Sequence, residues 1–251
     1  MKRLIVNADD FGRTRGINAG VLEAHLAGIV TSATAMVLEA DAEEGISEAI
    51  GRAPRLALGL HFAVTGGGFP ASDPARLPTL LADGRFPRYP ADLPREIPAE
   101  EVARELDAQI FLFEKMAGAP PTHLDSHHHS ALHPSVQPVF AQAALRLNIP
   151  ARASSAAARK ELRAAGVRTP DRFVEAFYRE GATAANLRSI LAGLAHETTE
   201  LMCHPGHADQ ELLAGSTYAR ERERELALLC DPEIPLLLAR EKVERVDFRD
   251  L

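Results

Sequence analysis

The sequence lacks several features that mark common classes of protein. It has only two cysteines, Cys203 and Cys230, which are far apart in the chain, so a disulfide framework is excluded. No stretch approaches the roughly 20 apolar residues that a membrane-spanning helix needs. The apolar run near the start ends at Asn7, which is too short for a secretory signal of roughly 7–15 apolar residues. Together these absences predict a cytoplasmic protein with no membrane partner.

An excess of basic residues is also missing. Lysine and arginine total 28 against 35 acidic residues, which gives a net charge of −7. A protein that grips nucleic acid normally presents a basic face, so we exclude a nucleic-acid partner. The 251 residues, 46% of them apolar, can bury one sizeable core, and single α/β barrels run to about 250 residues. We therefore predict one domain over residues 1–251.

Predicted strands and helices alternate along the chain. A short apolar run at 3–7 indicates a buried strand, and apolar residues spaced by three or four over 17–29 indicate a helix face. Further strands are predicted at 33–37, 56–60, 122–126, 150–153, 172–178, 200–203 and 243–248, and further helices at 41–50, 98–117, 134–147, 157–165, 183–196 and 217–229. This alternation is typical of a parallel sheet covered by helices.

Residues 64–98 interrupt this alternation. The segment is rich in glycine, proline, alanine and aspartate, a composition that a linker between domains would also have. Because structureless loops of this length inside a domain are usually functional, we favour a long loop that crosses the active-site face.

Ionisable residues stand at the ends of four predicted strands. They are Asp9 with Asp10, His61, Asp125 with the histidines at 127–129, and His204. In parallel α/β folds, functional sites lie outside the carboxyl ends of the strands. We therefore expect these residues to meet at one place although they are distant in sequence.

The adjacent acids Asp9 and Asp10 point to opposite sides of an extended chain. We expect them to divide the work, so that one binds a metal ion and the other acts as a base or hydrogen-bonds a ligand. The alternative is a structural role in a turn or helix cap before Phe11, because aspartate favours turns.

The histidines indicate a metal site more strongly together than singly. His61 or His204 alone would more often be structural, the latter as a turn histidine. Three consecutive histidines inside a globular chain are hard to explain by core packing, and imidazole is a common metal ligand. An exposed histidine-rich loop is the alternative. On an extended chain, His127 and His129 share a face and His128 points away.

One carboxylate and two histidines from three strands form a metal site with open positions. Such a set suits Zn²⁺ with a bound water, or Fe²⁺ in an oxygenase, whereas Mg²⁺ prefers oxygen ligands. Asp125, two residues before His127, shares its side of the strand and is placed to orient a histidine through the other ring nitrogen.

Arginine and glutamate alternate in the segment RERERE at 220–225. Such a run is typical of the solvated face of a helix. We therefore predict that it forms no binding patch.

Five blocks of the sequence resemble, in order, those of the YdjC family of carbohydrate deacetylases. They are LIVNADDFG, GIVTSATAM, LGLHF, THLDSHHH and ELMCHPG, and the similarity runs from residue 3 to about residue 209. NADDFG and HLDSHHH are the most specific. The resemblance implies an α/β fold, a distorted TIM-like (β/α) barrel with parallel strands, outer helices and an active site at the carboxyl ends of the strands.

The resemblance also implies roles for individual residues. The family metal, recorded as Mg²⁺, is held by residues that match Asp10, His61 and His127. The catalytic residues are matched by Asp9 as base, His204 as acid and Arg152 as the arginine that steadies the base. Since ligand chemistry favours Zn²⁺ instead, we predict a divalent metal that is either Mg²⁺ or Zn²⁺.

The implied activity is removal of acetyl groups from N-acetylglucosamine units of small oligosaccharides, with a homodimer expected because family members are often dimers. A family subgroup associated with hopanoid side-chain biosynthesis carries the same blocks.

Two other functions compete with this one. A different metal-dependent hydrolase, such as an amidohydrolase or phosphoesterase, usually has more ligands, often an HxH on the first strand, where this chain has Asp-Asp. The other is a non-catalytic sugar-binding protein on the same scaffold.

Overall fold

The computed structural model describes all 251 residues, with seven strands and nine α-helices. The strands are β1 (Lys2–Phe11), β2 (Ser32–Ala35), β3 (Ala57–Phe62), β4 (Leu124–Ser126), β5 (Arg172–Val174), β6 (Thr198–Cys203) and β7 (Val243–Arg245). The helices are α1 (Arg15–Leu26), α2 (Ala42–Arg52), α3 (Ala99–Ala117), α4 (Gln137–Leu147), α5 (Ala156–Ala164), α6 (Ala184–Ala192), α7 (Gln210–Gly215), α8 (Arg220–Leu229) and α9 (Glu233–Arg240). None of the helices combines the length and the apolar character needed to cross a bilayer.

All strand pairs in the sheet are parallel, and the strand order is β4-β3-β2-β1-β6-β5. The short strand β7 pairs with the first residues of β1. Helices between the strands cover the sheet, and a cluster of 56 buried apolar residues forms the core. The predicted α/β fold, a distorted TIM-like barrel, is confirmed.

The barrel does not close. The predicted strand at 150–153 is reduced to a single bridge between Ala151 and Leu124, and the predicted strand at 172–178 ends at Val174 as β5. No strand pairing joins β5 to the Ala151 segment. The residue after the bridge, Arg152, is buried.

Several helix ends follow the local sequence signals. The Thr14 hydroxyl accepts a hydrogen bond from the Ile17 amide and starts α1, and the predicted cap Thr183 accepts one from the Asn186 amide and starts α6. The helices α7 and α9 were not predicted from the sequence. The end predicted for α6, near His196, lies four residues too late.

Residues 64–98 fold back onto the protein. They contain two short 3₁₀ turns and one antiparallel bridge between Ala82 and Arg85. The side chains of Leu77, Leu80 and Phe86 join the main core. The segment is therefore anchored by apolar packing and reaches the carboxyl ends of the strands.

Candidate active site

A cavity of about 630 Å³ opens at the carboxyl ends of the central strands. Only five of its 24 lining residues are hydrophobic, so it suits a polar ligand of small-molecule size. The chain has no tryptophan and three tyrosines, and all three tyrosines line this cavity: Tyr89, Tyr178 and Tyr218. The cavity therefore gathers all the tyrosines of the protein among mainly polar residues.

Strand β1 brings two carboxylates to the floor of the cavity. Asp10 has a left-handed backbone (φ 64°), and the register between β1 and β2 shifts between Ala8 and Phe11. The prediction that Asp9 and Asp10 point to opposite sides is therefore wrong, because the chain is not regularly extended here. Both side chains are buried and both line the cavity.

Asp10 meets two histidines from other strands. Its Oδ1 atom lies 3.4 Å from His61 Nε2 and 3.2 Å from His127 Nδ1, and these two nitrogens lie 3.4 Å apart. His61 belongs to β3, and His127 directly follows β4. The structure thus brings together all three residues that were predicted as metal ligands.

Asp125 binds the ring nitrogen of His61 that faces away from Asp10. The ring donates from Nδ1 to Asp125 Oδ1 over 2.6 Å, and the Thr34 hydroxyl donates to Asp125 Oδ2 over 2.9 Å. The expectation that Asp125 orients a histidine is therefore met at His61, whose Nε2 atom is turned towards Asp10.

These three donor atoms fit one metal ion. Ligands about 2.1 Å from an ion at a tetrahedral angle lie about 3.4 Å apart, close to the separations observed here. The surrounding acids also favour positive charge. Burial opposes the imidazolium form of His61, but Asp125 and Asp10 raise its pKa to about 10. The cluster can therefore hold a divalent cation.

The three consecutive histidines do not lie on an extended chain. They begin a 3₁₀ segment in which His128 and His129 have left-handed backbones (φ 53° and 54°), so the predicted alternation of faces is wrong. All three line the cavity, with the rings of His127 and His128 only 3.8 Å apart. His129 instead faces Glu175 at 3.3 Å. The tight turn lets one histidine reach the metal cluster while the others form the wall.

Arg152 lies inside the ring of strands and binds three acids. Its terminal nitrogens donate to both oxygens of Asp9, each over 2.6 Å, and Nη1 lies 2.9 Å from Asp125. Its Nε atom donates to Glu200 over 2.6 Å. Burial disfavours the charged form of Asp9, but Arg152 outweighs it and holds the pKa of that carboxyl well below its usual range. Asp9 is therefore ionised and fixed in direction.

His204 follows β6 and also lines the cavity. Its Nδ1 atom is buried and has no hydrogen-bond partner, and its ring lies 5.0 Å from that of Tyr178. Burial lowers the pKa of His204 to about 4, so the ring is neutral at pH 7. A neutral imidazole with one free nitrogen can exchange a proton with a bound ligand.

The charge run at 220–225 is solvated at four of its six residues, and the prediction that it forms no binding patch is wrong for the other two. Arg222 and Glu225 of α8 are buried, and Arg222 donates to Asp10 Oδ2. Glu225 accepts from the backbone amide of His204 over 2.5 Å. These residues lie one turn apart on the face that also buries Leu226 and Leu229, a stripe that the sequence displays.

Comparison with known proteins identifies a family to which the chain is similar. The model of the family described as YdjC-like protein matches residues 3–240. The chain is 39% identical to a carbohydrate deacetylase from Geobacillus stearothermophilus, over 98% of this chain and 96% of that one. It is 34% identical to a chitooligosaccharide deacetylase from Proteus mirabilis, over 99% and 98%.

Solved structures agree with this relationship. A protein of Enterococcus faecalis superimposes with a TM-score of 0.93 at 30% identity, covering 99% of this chain and 98% of that one. A family 4 carbohydrate esterase from Streptomyces lividans has a TM-score of 0.55 at 11% identity, covering 97% and 91%, which shows a likeness of fold alone. On the family match and the near full-length similarity, the chain belongs to the YdjC family.

Proposed function

We propose that this protein is a metal-dependent carbohydrate deacetylase that releases acetate from N-acetylglucosamine units of small oligosaccharides. The observation that carries the proposal is the cluster of Asp10, His61 and His127, which lies beside Asp9 and His204 on the floor of one polar cavity. The names of the relatives, carbohydrate deacetylase and chitooligosaccharide deacetylase, support the substrate class.

A divalent ion at Asp10, His61 and His127 would supply Lewis-acid chemistry, polarising the acetamide carbonyl and making water more acidic. Zn²⁺ suits the two nitrogen donors, and Mg²⁺ is the ion that the family resemblance implies. The residues of the chain orient the substrate and move the protons.

Asp9 is proposed as the group that accepts the proton of the attacking water. Arg152 grips both of its oxygens and keeps it ionised, although the same contact makes it a weaker base. His204 is proposed to deliver a proton to the departing amine, which is too basic to leave without one. Because its ring is neutral at rest, His204 first takes up a proton from the solvent, and the proton that Asp9 accepts from water returns to the solvent after the amine has left.

We also propose that the chain works as one catalytic domain. Its main core of 56 buried apolar residues includes Leu77 and Phe86 from the segment 64–98 as well as residues of the central strands. That segment would then serve the cavity directly through Arg88 and Tyr89, and set which sugars enter.

The test is acetate release from di-N-acetylchitobiose by protein stripped of metal and then reloaded separately with Zn²⁺, Mn²⁺ or Mg²⁺. We expect acetate and free amine in equal amounts, and no phosphate from a phosphate monoester. Metal analysis of protein purified without added ions identifies the ion that is retained. Phosphate release without acetate would favour a phosphoesterase, and binding of the sugar without any product would favour a sugar-binding protein.

A further inference from the structure

Helix α8 carries a buried arginine whose only carboxylate contact is a proposed metal ligand. The Arg222 side chain is 2% exposed, and its Nη2 atom donates to Asp10 Oδ2. Its Nε atom donates to the backbone oxygen of Tyr218 over 3.0 Å, which fixes the guanidinium plane against the start of the helix.

The two oxygens of Asp10 therefore have different partners. Oδ2 is occupied by Arg222, with Arg13 more distant at 3.8 Å, while Oδ1 faces His61 and His127. A carboxylate with one oxygen engaged in this way presents the other in a fixed direction. The pairing thus turns a flexible, potentially bidentate ligand into a single aimed donor atom.

Stability alone does not explain this arrangement. A buried ion pair rarely stabilises a fold more than well-packed apolar side chains would. Here a second cost is added, because Arg222 Nη1 is buried without any hydrogen-bond partner. Asp10 also has a left-handed backbone, which is unfavourable for a residue with a side chain. Such costs concentrate at functional sites.

We infer that Arg222 is a positioning residue of the metal site, which holds Asp10 so that it binds the ion through Oδ1 alone. This role rests on the proposed metal-dependent function and extends it to a helix outside the sheet. Partners that orient a ligating carboxylate typically contribute about 10- to 100-fold to metal affinity or activity.

The test is calorimetric titration of metal-stripped protein with ZnCl₂. We expect Arg222→Met to bind Zn²⁺ about 10- to 100-fold more weakly than wild type. Arg224→Met is the matched control, because Arg224 lies on the same helix, is exposed and has no ion-pair partner. It should bind Zn²⁺ like wild type. Circular dichroism of each metal-free variant separates loss of affinity from loss of folding.

Arg222→Lys is the second variant and should fall between wild type and Arg222→Met. An ammonium keeps the charge but not the planar fork that fixes the carboxylate. Wild-type Zn²⁺ affinity in folded Arg222→Met would overturn the inference. If Arg222→Met does not fold, wild-type affinity in Arg222→Lys would overturn it instead. Zn²⁺ binding by a wild-type chain that releases no acetate would defeat the proposed substrate and leave this role standing. Absence of any divalent-ion binding by wild type would defeat both.

Discussion

At the scale of single residues, the site depends on two neighbouring carboxylates that are held by different cations. Asp9 is gripped by Arg152 from inside the ring, and Asp10 is held by Arg222 from α8. Burial disfavours charge on both, yet their arginines lower the pKa of each carboxyl. Both carboxylates can therefore stay ionised together. Asp9 is then available to accept a proton, and Asp10 is available to bind a metal ion.

Replacing Asp9 and Asp10 by asparagine, one at a time, should separate the role of the base from that of the metal ligand. Asp9→Asn is expected to keep its metal and lose about 10²- to 10⁴-fold in kcat, the usual range for one general acid or base. Asp10→Asn should lose the metal as well. Acetate release and metal content measured on the same samples decide the matter. If Asp9→Asn empties the site and Asp10→Asn leaves it filled, the two assignments are reversed.

His123 should make the fold sensitive to acid without taking part in the reaction. Its ring stacks on Phe248 at 3.8 Å, and burial lowers its pKa to about 3. Below about pH 6.5 the unfolded chain takes up a proton that the folded chain refuses. The free energy of unfolding should therefore fall as pH decreases towards 3, by up to about 1.4 kcal/mol per pH unit from this group.

The measurement is urea unfolding between pH 6.5 and 4.5. His123→Gln should show a shallower pH dependence than wild type, whatever its absolute stability. His196→Gln, at an exposed histidine, is the control and should keep the wild-type slope. Equal slopes for all three proteins would contradict the assignment.

The identities of the site residues were readable from the sequence, but their directions were not. Strand ends rich in aspartate and histidine indicated where Asp10, His61 and His127 would meet. The left-handed backbones at Asp10 and His128 were not predictable, because this conformation is uncommon for residues with side chains and no local turn motif marks these positions. Local periodicity therefore failed where the chain turns into the cavity.

At the scale of elements, α8 shows how an alternating charge run can mislead. Alternation of sign is a pattern of period two, whereas a helix buries one residue in every three or four. Counted at helical spacing, Arg222 and Glu225 fall on the stripe of Leu226 and Leu229. Four residues of the run are partly or fully exposed, and the other two reach the site.

The segment 64–98 should contribute to substrate length preference through Tyr89. This ring is 55% exposed, lies at the cavity and is 6.4 Å from the ring of His128. A second sugar unit packed on it would gain about 0.5–1.5 kcal/mol. Tyr89→Ala should therefore raise KM for di-N-acetylchitobiose by about 3- to 10-fold, with little change in kcat.

Phe69→Ala is the matched control for this prediction. Phe69 is equally exposed on the same segment but packs under Arg85 and does not line the cavity. Its KM should stay at the wild-type value. A parallel rise in KM for both variants would show that the segment acts through its overall stability and not through the tyrosine ring.

Close packing of α1 against the turn after β6 should help to hold His204 in position. A methyl group at Gly20 would lie 2.5 Å from the Gly206 Cα atom, so the helix and the turn could not keep their distance. Gly20→Ala should cost about 1–3 kcal/mol of stability and lower kcat by displacing that turn. Gly51→Ala, where the added methyl meets open space in α2, should instead gain about 0.5–1 kcal/mol. Urea unfolding of both variants checks the contrast.

At the scale of the whole molecule, the parallel α/β class follows from alternation alone. The degree to which the barrel closes cannot be read from this alternation. It depends on whether the segments 150–153 and 172–178 pair fully with their neighbours. Proline and arginine interrupt the first segment, and only Ala151 forms a bridge. The helix α9 was missed because Pro235 lies in its first turn, where proline is tolerated although it usually signals a break.

An ion at the candidate site would add a link between β1, β3 and the residue that follows β4, beside the hydrogen bonds that already join these strands. Since it binds only the folded chain, it should add about 2.7 kcal/mol at 100 times its Kd. For a chain of this size that corresponds to a rise in Tm of about 5–10 °C. Differential scanning calorimetry with and without ZnCl₂ measures the shift. His61→Ala should show none, and an equal shift in that variant would place the ion elsewhere.

Because of where its tyrosines lie, the intrinsic fluorescence of the protein should report binding at the cavity. With tryptophan absent and every tyrosine at the cavity, near-ultraviolet emission comes from the rings that a ligand would touch. Quenching or enhancement of that signal can follow occupancy in real time, without a dye or an engineered label. Removing Tyr178 or Tyr89 singly would then tell which wall of the cavity a bound molecule approaches first.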